Sequence, residues 1–275
     1  MNPNIAIAIL LITFVLLIMI KCPITFSMII STAFTMLYIQ VPVMTLVQQM
    51  SKQLNSFSLL AIPFFILMGE IMAAGGISSR LLAFANVCVG QITGGLAHVN
   101  VLASMLFGGI SGSAIADVSS LGALEIPMME EAGYEKDFSI AVTVASSCQG
   151  LIIPPSHNMV LYSMVAGGVS VGSLFCAGYI PGIMLGVFIM GMCYIISKKK
   201  HYPKGKKLPF KEALRVTKDT FFAMLAMVII IGGVSAGFFT ATESAAVACI
   251  YCLFVGFFIY RELRFKDIPV VLGNT

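Results

Sequence analysis

Two short polar stretches interrupt otherwise apolar segments and hold the residues best suited to chemistry. The first is Gly108-Gly109-Ile110-Ser111-Gly112-Ser113, followed by Asp117; the second is Ile152-Ile153-Pro154-Pro155-Ser156-His157-Asn158. Irregular backbone at membrane depth must line a cavity or be buried in protein, because each unpaired N–H or C=O facing lipid is costly. Small residues at 111–113 let the chain turn and leave hydroxyl and carbonyl oxygens free for a hard cation. Ser111, Gly112 and Ser113 are therefore a candidate Na⁺ site. A helix restarting near Asp117 would aim its first N–H groups into the same space, a favourable setting for a carboxylate. A second reading stays open, because Gly108 and Gly112 form a GxxxG pair, and Gly109 and Ser113 a small-xxx-small pair, which serve close helix packing. Asp117 is equally well read as a helix N-cap.

In the second stretch the prolines end one half-helix, and Pro155 or Ser156 opens the next. A proline kink and a binding site share this geometry, and Ser156 and Asn158 suit either. His157 is expensive in an apolar span unless it is paired, which makes it a candidate contact as well as a structural residue. Glu70 and Glu243 are further carboxylates in apolar surroundings. Glu243, after Phe239-Thr240-Ala241-Thr242, fits the first turn of a helix as a cap.

The elements that must position these residues are membrane helices. Hydrophobic residues make up 59% of the chain, charged residues only 10%, and the mean hydropathy is +0.99, far from a soluble domain. An all-α polytopic membrane protein is expected. Apolar segments at 5–20, 23–39 and 57–74 form the N-terminal part (1–75), followed by a more polar, interfacial helix at 76–94. A re-entrant hairpin is expected over 95–130 and a broken helix over 138–168. Then come a span at 178–197, a basic loop at 198–218, spans at 219–238 and 243–260, and a C-terminal end at 261–275. The segment 170–176 suits an interfacial position.

Placing the loop Lys198 to Lys218, with nine Lys/Arg, in the cytoplasm puts 15 of the 16 Lys/Arg on that side, with Lys52 the exception and the N-terminus outside. The net charge of +4 arises mainly in this loop, so nucleic acid is not an expected partner. Met1-Asn2-Pro3-Asn4 lacks the positive region of a signal peptide, so the first helix is expected to be retained. Cys22, Cys88, Cys148, Cys176, Cys193, Cys249 and Cys252 show no CxxC spacing and read as small buried hydrophobes.

With these residues in place, the chain resembles the large membrane subunit (M, dicarboxylate-permease type) of tripartite ATP-independent periplasmic (TRAP) transporters. The resemblance runs through Phe57-Ser-Leu-Leu-Ala-Ile-Pro-Phe-Phe-Ile-Leu-Met-Gly-Glu70, Ser111-Gly-Ser-Ala-Ile-Ala-Asp117, Ile153-Pro-Pro-Ser156, Ala177-Gly-Tyr-Ile-Pro-Gly182 and Thr240-Ala-Thr-Glu-Ser-Ala-Ala246. It implies an inner-membrane importer of an organic acid, such as a dicarboxylate or sugar acid, driven by a Na⁺ gradient. Its implied partners are a periplasmic solute-binding protein and a small membrane subunit. It also implies an elevator motion, no cofactor besides Na⁺ as coupling ion, and binding roles for Ser111, Gly112, Ser113, Asp117, Pro154, Pro155, Ser156 and Asn158. The His157-Asn158 pair departs from the family's pattern. Family members resemble two inverted repeats of hairpin plus broken helix, and this chain shows each once. It is expected to be a fragment, truncated after the first repeat and inactive alone.

Two further readings compete. A non-transporting assembly scaffold fits the same elements. Gly109-Ile110-Ser111-Gly112 also matches the GxSG of rhomboid-like intramembrane serine proteases, with His157 as a conceivable dyad partner. The position of His157 after two prolines and the absence of Trp argue against that enzyme.

Overall fold

A computed structural model gives the fold and describes residues 2–167, 169–205 and 209–275. Gly168, which ends the expected 138–168 element, and residues 206–208 of the basic loop lie outside the described residues. The described residues are helical, with one isolated bridge between Thr93 and Lys204 and no strand. The chain divides into two compact units, 1–56 and 57–275.

In the first unit α1 (Pro3–Met19) packs against α2 (Ile24–Tyr38), close to the expected 5–20 and 23–39. Ser27 and Ser31 on α2 are buried and donate back to Pro23 O (3.2 Å) and Met28 O (3.1 Å), which satisfies their hydroxyls inside an apolar pair. The amphipathic helix α3 (Met44–Leu54) follows. It was not expected, because its apolar residues are too few for a span.

The second unit is built on α4 (Ala61–Ala74), preceded by a 3₁₀ turn at Phe57–Leu60, and on α13 (Ala241–Phe254), extended by a π-helical turn at Val255–Ile259. Three stretches here are long and apolar enough to cross a membrane: Phe57–Ala74, Val171–Lys199 and Ala241–Ile259. Large side chains at Phe65, Met68 and Met72 on α4 meet Ala245, Ala248, Cys249 and Cys252 in one buried cluster. The small residues of α13 let the two backbones approach, the usual solution where lipid supplies no hydrophobic drive. A capping box starts α13: Thr240 N–H donates to Glu243 Oε2 (2.8 Å) and Glu243 N–H to Thr240 Oγ1 (3.3 Å), the role expected of Glu243.

Helix α5 (Ile77–Val89) lies within the 76–94 segment expected to be interfacial. Its stripe Ile77, Leu81 and Ala85 is fully buried, and it packs against α6 (Gly95–Ser111) and α12 (Phe210–Ser235). Its apolar stripe is covered by protein. The expected 95–130 hairpin resolves into α6, α7 (Ala114–Ser120) and α8 (Gly122–Glu131), with α8 returning along α6. The expected 138–168 broken helix is α9 (Lys136–Ser147), a 3₁₀ turn at Cys148–Leu151, and α10 (His157–Ala166).

Two boundaries differ from expectation. Helix α11 (Val171–Lys199) begins well before 178, because Ser170 caps its first turn through Ser173 N–H (3.5 Å) and so absorbs the segment read as interfacial. Helix α12 begins at Phe210, inside the expected 198–218 loop. Pro209 is its N-cap, and the following residues, Lys211, Glu212, Ala213, Leu214 and Arg215, are good helix formers. Helix α14 (Ile268–Asn274) ends the chain. All seven cysteines are free; Cys193, Cys249 and Cys252 are buried as expected, whereas Cys88, Cys148 and Cys176 are exposed.

Candidate functional site

The two polar interruptions meet. Helix α6 ends at Ser111, and Gly112 turns the chain with φ +62°. A β-carbon at Gly112 would lie 2.8 Å from Pro155 O and 3.1 Å from both Ser156 Cα and His157 N, so the hairpin tip rests on the backbone of the second break. One turn earlier a β-carbon at Gly108 would lie 2.5 Å from Gly150 Cα. The GxxxG pair therefore does serve packing, and it packs the hairpin onto the broken helix.

Oxygen atoms gather at this contact. Ser111, 2% exposed, holds its Oγ 3.5 Å from Ser113 O and 3.4 Å from Ser113 N. Pro155 O faces Gly112 from the other break. The last carbonyls of a helix such as α6 have no partner within the helix. Ser111 Oγ and Ser113 O of the first break thus lie beside Gly112, which is in contact with the Pro155 carbonyl of the second.

Several expected roles change. Ser113, not Asp117, caps α7: its Oγ accepts from Ala116 N–H (3.3 Å) in the extended conformation an N-cap requires. Asp117 is 1% exposed, lies outside the cavity wall, and neither carboxylate oxygen has a protein partner among the described residues. Of the first N–H groups of α7, Ser113 Oγ satisfies that of Ala116. Ser156 is buried and its hydroxyl donates to Leu151 O (2.8 Å), closing the 3₁₀ turn before the break instead of pointing into open space. Asn158 is exposed and does not line the cavity. Pro154 and Pro155 are buried beneath the tip.

Beside the junction lies a cavity of about 520 Å³ whose wall includes Ser111, Ser113, Ser119, Ser120, His157 and Glu70. His157 Nδ1 is buried without a partner among the described residues, while Glu70 Oε2 accepts from Asn274 Nδ2 (3.3 Å). Ser119 and Ser120 were not singled out in the sequence. Their signal was available, since 113, 116 and 120 share one face of a helix at i, i+3 and i+7.

A hydrogen-bonded ladder ties the hairpin to α9. Asn100 on α6 donates from Nδ2 to Thr143 Oγ1 (2.7 Å) and accepts at Oδ1 from Ser146 Oγ (2.8 Å), and Ser104 Oγ donates to Ser146 Oγ (3.1 Å). All four side chains are buried. Sequence reading passed over them because single polar residues in apolar helices carry no period.

Fold and site together define an α-helical polytopic membrane protein in which a hairpin tip and a broken helix meet beside a cavity. The family model described as "Tripartite ATP-independent periplasmic transporter, DctM component" matches residues 11–275, and the chain belongs to that family. It is similar to the sialic acid TRAP transporter large permease protein SiaM of Vibrio cholerae, 42% identical over 254 residues covering 92% of this chain and 59% of the relative. The C4-dicarboxylate TRAP transporter large permease protein DctM of Pseudomonas aeruginosa is 44% identical over 216 residues, 78% of this chain and 50% of the relative. The 2,3-diketo-L-gulonate TRAP transporter large permease protein YiaN of Escherichia coli is 38% identical over 251 residues, 91% of this chain and 59% of the relative. The chain thus spans 50 to 59% of the length of these relatives.

These relatives are transporter permeases and not enzymes. The Ser111 hydroxyl donates to Ser113 O, and among the described residues it has no hydrogen bond with His157.

Proposed function

We propose that the chain is a large permease subunit that imports an organic acid across the bacterial inner membrane by Na⁺ symport. Its partners in this reading are a small membrane subunit and a periplasmic solute-binding protein. The observation that carries the reading is the contact at Gly112, which sets the hairpin tip, with Ser111 and Ser113 in the cavity wall, against the Pro155 carbonyl of the broken helix. Na⁺ is held by Ser111, Gly112 and Ser113 on the hairpin and by the backbone of Pro154 and Pro155 on the break. The substrate anion sits in the cavity against the hydroxyls of Ser113, Ser119 and Ser120 and the ring of His157. Ser156 supports the break through Leu151 O, and Asp117 and Asn158 stand outside the cavity wall.

The relatives' names specify sialic acid, C4-dicarboxylate and 2,3-diketo-L-gulonate, so a carboxylate is the shared chemistry. The Asn100–Thr143–Ser146–Ser104 ladder supports a motion in which hairpin and broken helix travel as one body, as an elevator requires. Uptake of labelled sialic acid, C4-dicarboxylates and 2,3-diketo-L-gulonate into proteoliposomes tests this. Uptake is expected only with an inward Na⁺ gradient and with both partners supplied, and none from the chain alone. Uptake that persists in K⁺ throughout, or from this chain alone, overturns the reading. Assembly with the small subunit and no stimulation of substrate binding by Na⁺ would favour a scaffold.

A further inference from the structure

The polar-to-apolar boundaries of two helices coincide away from the hairpin. The start of α12 carries Lys211, Glu212, Arg215, Lys218 and Asp219, and no charged residue follows in it. No charge occurs from Ser244 through Tyr260, and Arg261 and Glu262 come next. The Tyr260 hydroxyl donates to Asp219 O (2.5 Å), so both boundaries stand at one level, and Tyr favours the interface of a bilayer.

Arg80 of α5 occupies this level and is fixed from three directions. Its Nη2 pairs with Glu262 Oε1 (2.8 Å), its Nη1 donates to Gly76 O (2.7 Å), and its guanidinium lies 3.8 Å over the Tyr260 ring. Two crevices flank it and share Arg80 and Asp219. The one of about 240 Å³ adds Lys218 and the apolar Phe222 and Ile259, giving two cations against one carboxylate. The one of about 280 Å³ adds Glu262, Ser79 and Thr220, giving two carboxylates against one cation. Among the described residues the side chains of Lys218 and Asp219 have no ion-pair or hydrogen-bond partner, so their capacity is free.

Adjoining sites of opposite charge at the bilayer interface suit one molecule carrying both charges. We propose that the two crevices seat the headgroup of a phosphatidylethanolamine, its phosphate against Lys218 and Arg80 and its primary ammonium against Asp219 and Glu262. Phe222 and Ile259 lie on the phosphate side, where the glycerol and acyl chains leave for the bilayer. A phosphatidylglycerol brings no cation to the acidic crevice. A phosphatidylcholine brings a quaternary ammonium with no N–H to donate.

Native mass spectrometry of the detergent-purified protein, titrated with each of the three lipids, tests the proposal. Phosphatidylethanolamine is expected to be held about tenfold more tightly than either competitor, the ratio one charge-assisted hydrogen bond supports. Lys218→Ala should weaken it about tenfold, and Asp219→Asn should erase its advantage over phosphatidylcholine. Both side chains are exposed, so either variant suffices if the other does not fold. Equal retention of the three lipids, stronger retention of phosphatidylglycerol, or indifference to both substitutions would overturn the proposal. Displacement of the lipid by an equal concentration of soluble phosphoethanolamine would assign the site to a free headgroup and overturn it as a lipid site. None of these outcomes depends on transport.

Discussion

Gly112 meets two demands at once: a left-handed backbone and a neighbour's carbonyl where a side chain would stand. A non-glycine residue in this conformation costs about 1–2 kcal/mol, and forcing a methyl against backbone adds about 1–3 kcal/mol. Gly112→Ala is therefore expected to lower stability by about 2–5 kcal/mol, read as a large fall in thermal midpoint in detergent. Gly191→Ala is the control, since nothing lies within 4 Å of a β-carbon there. Its helical position should be neutral or gain up to about 1 kcal/mol. Equal behaviour of the two variants would mean that the tip does not rest on the second break.

Between elements, the ladder from Asn100 to Ser104 does work that apolar packing cannot do in lipid. Hydrogen bonds between membrane helices are worth about 0.6–2 kcal/mol each, and Asn100 makes two of them, to Thr143 and from Ser146. Asn100→Ala should cost about 1–3 kcal/mol by leaving buried hydroxyls short of partners, and it should loosen α6 from α9. Crosslinking between cysteines placed on the two helices measures that loosening, and unchanged crosslinking in the variant would count against the ladder as the link. Much at this scale was legible beforehand. Both interruptions stood out because they put glycine, serine and proline inside segments too long for one span. Local hydrogen bonding was not legible, since whether Ser113 or Asp117 caps α7, and whether Ser156 faces a ligand or Leu151 O, depends on one or two dihedral angles. The burial of α5 was hidden for another reason. Arg80 makes the segment look surface-bound, and only α12 and Glu262 show where its charge goes.

Over the whole molecule, positive charge sets the expected orientation. With the loop after α11 in the cytoplasm, Lys21→Cys and Lys266→Cys in a cysteine-free background should react with an impermeant maleimide only from the cytoplasmic side, and Lys52→Cys only from the periplasmic side. Labelling of Lys21→Cys and Lys52→Cys from one side would require a different number of crossings. In the proposed mechanism the hairpin tip and the broken helix together hold Na⁺. Its most direct test is a Na⁺ titration of substrate uptake by the complex assembled with its two partners, comparing the native chain with Ser111→Ala and Ser113→Ala. Each variant is predicted to raise the half-maximal Na⁺ concentration by about tenfold, the effect of losing about 1.4 kcal/mol of cation binding. Uptake with an unchanged Na⁺ dependence in both variants would contradict the claim.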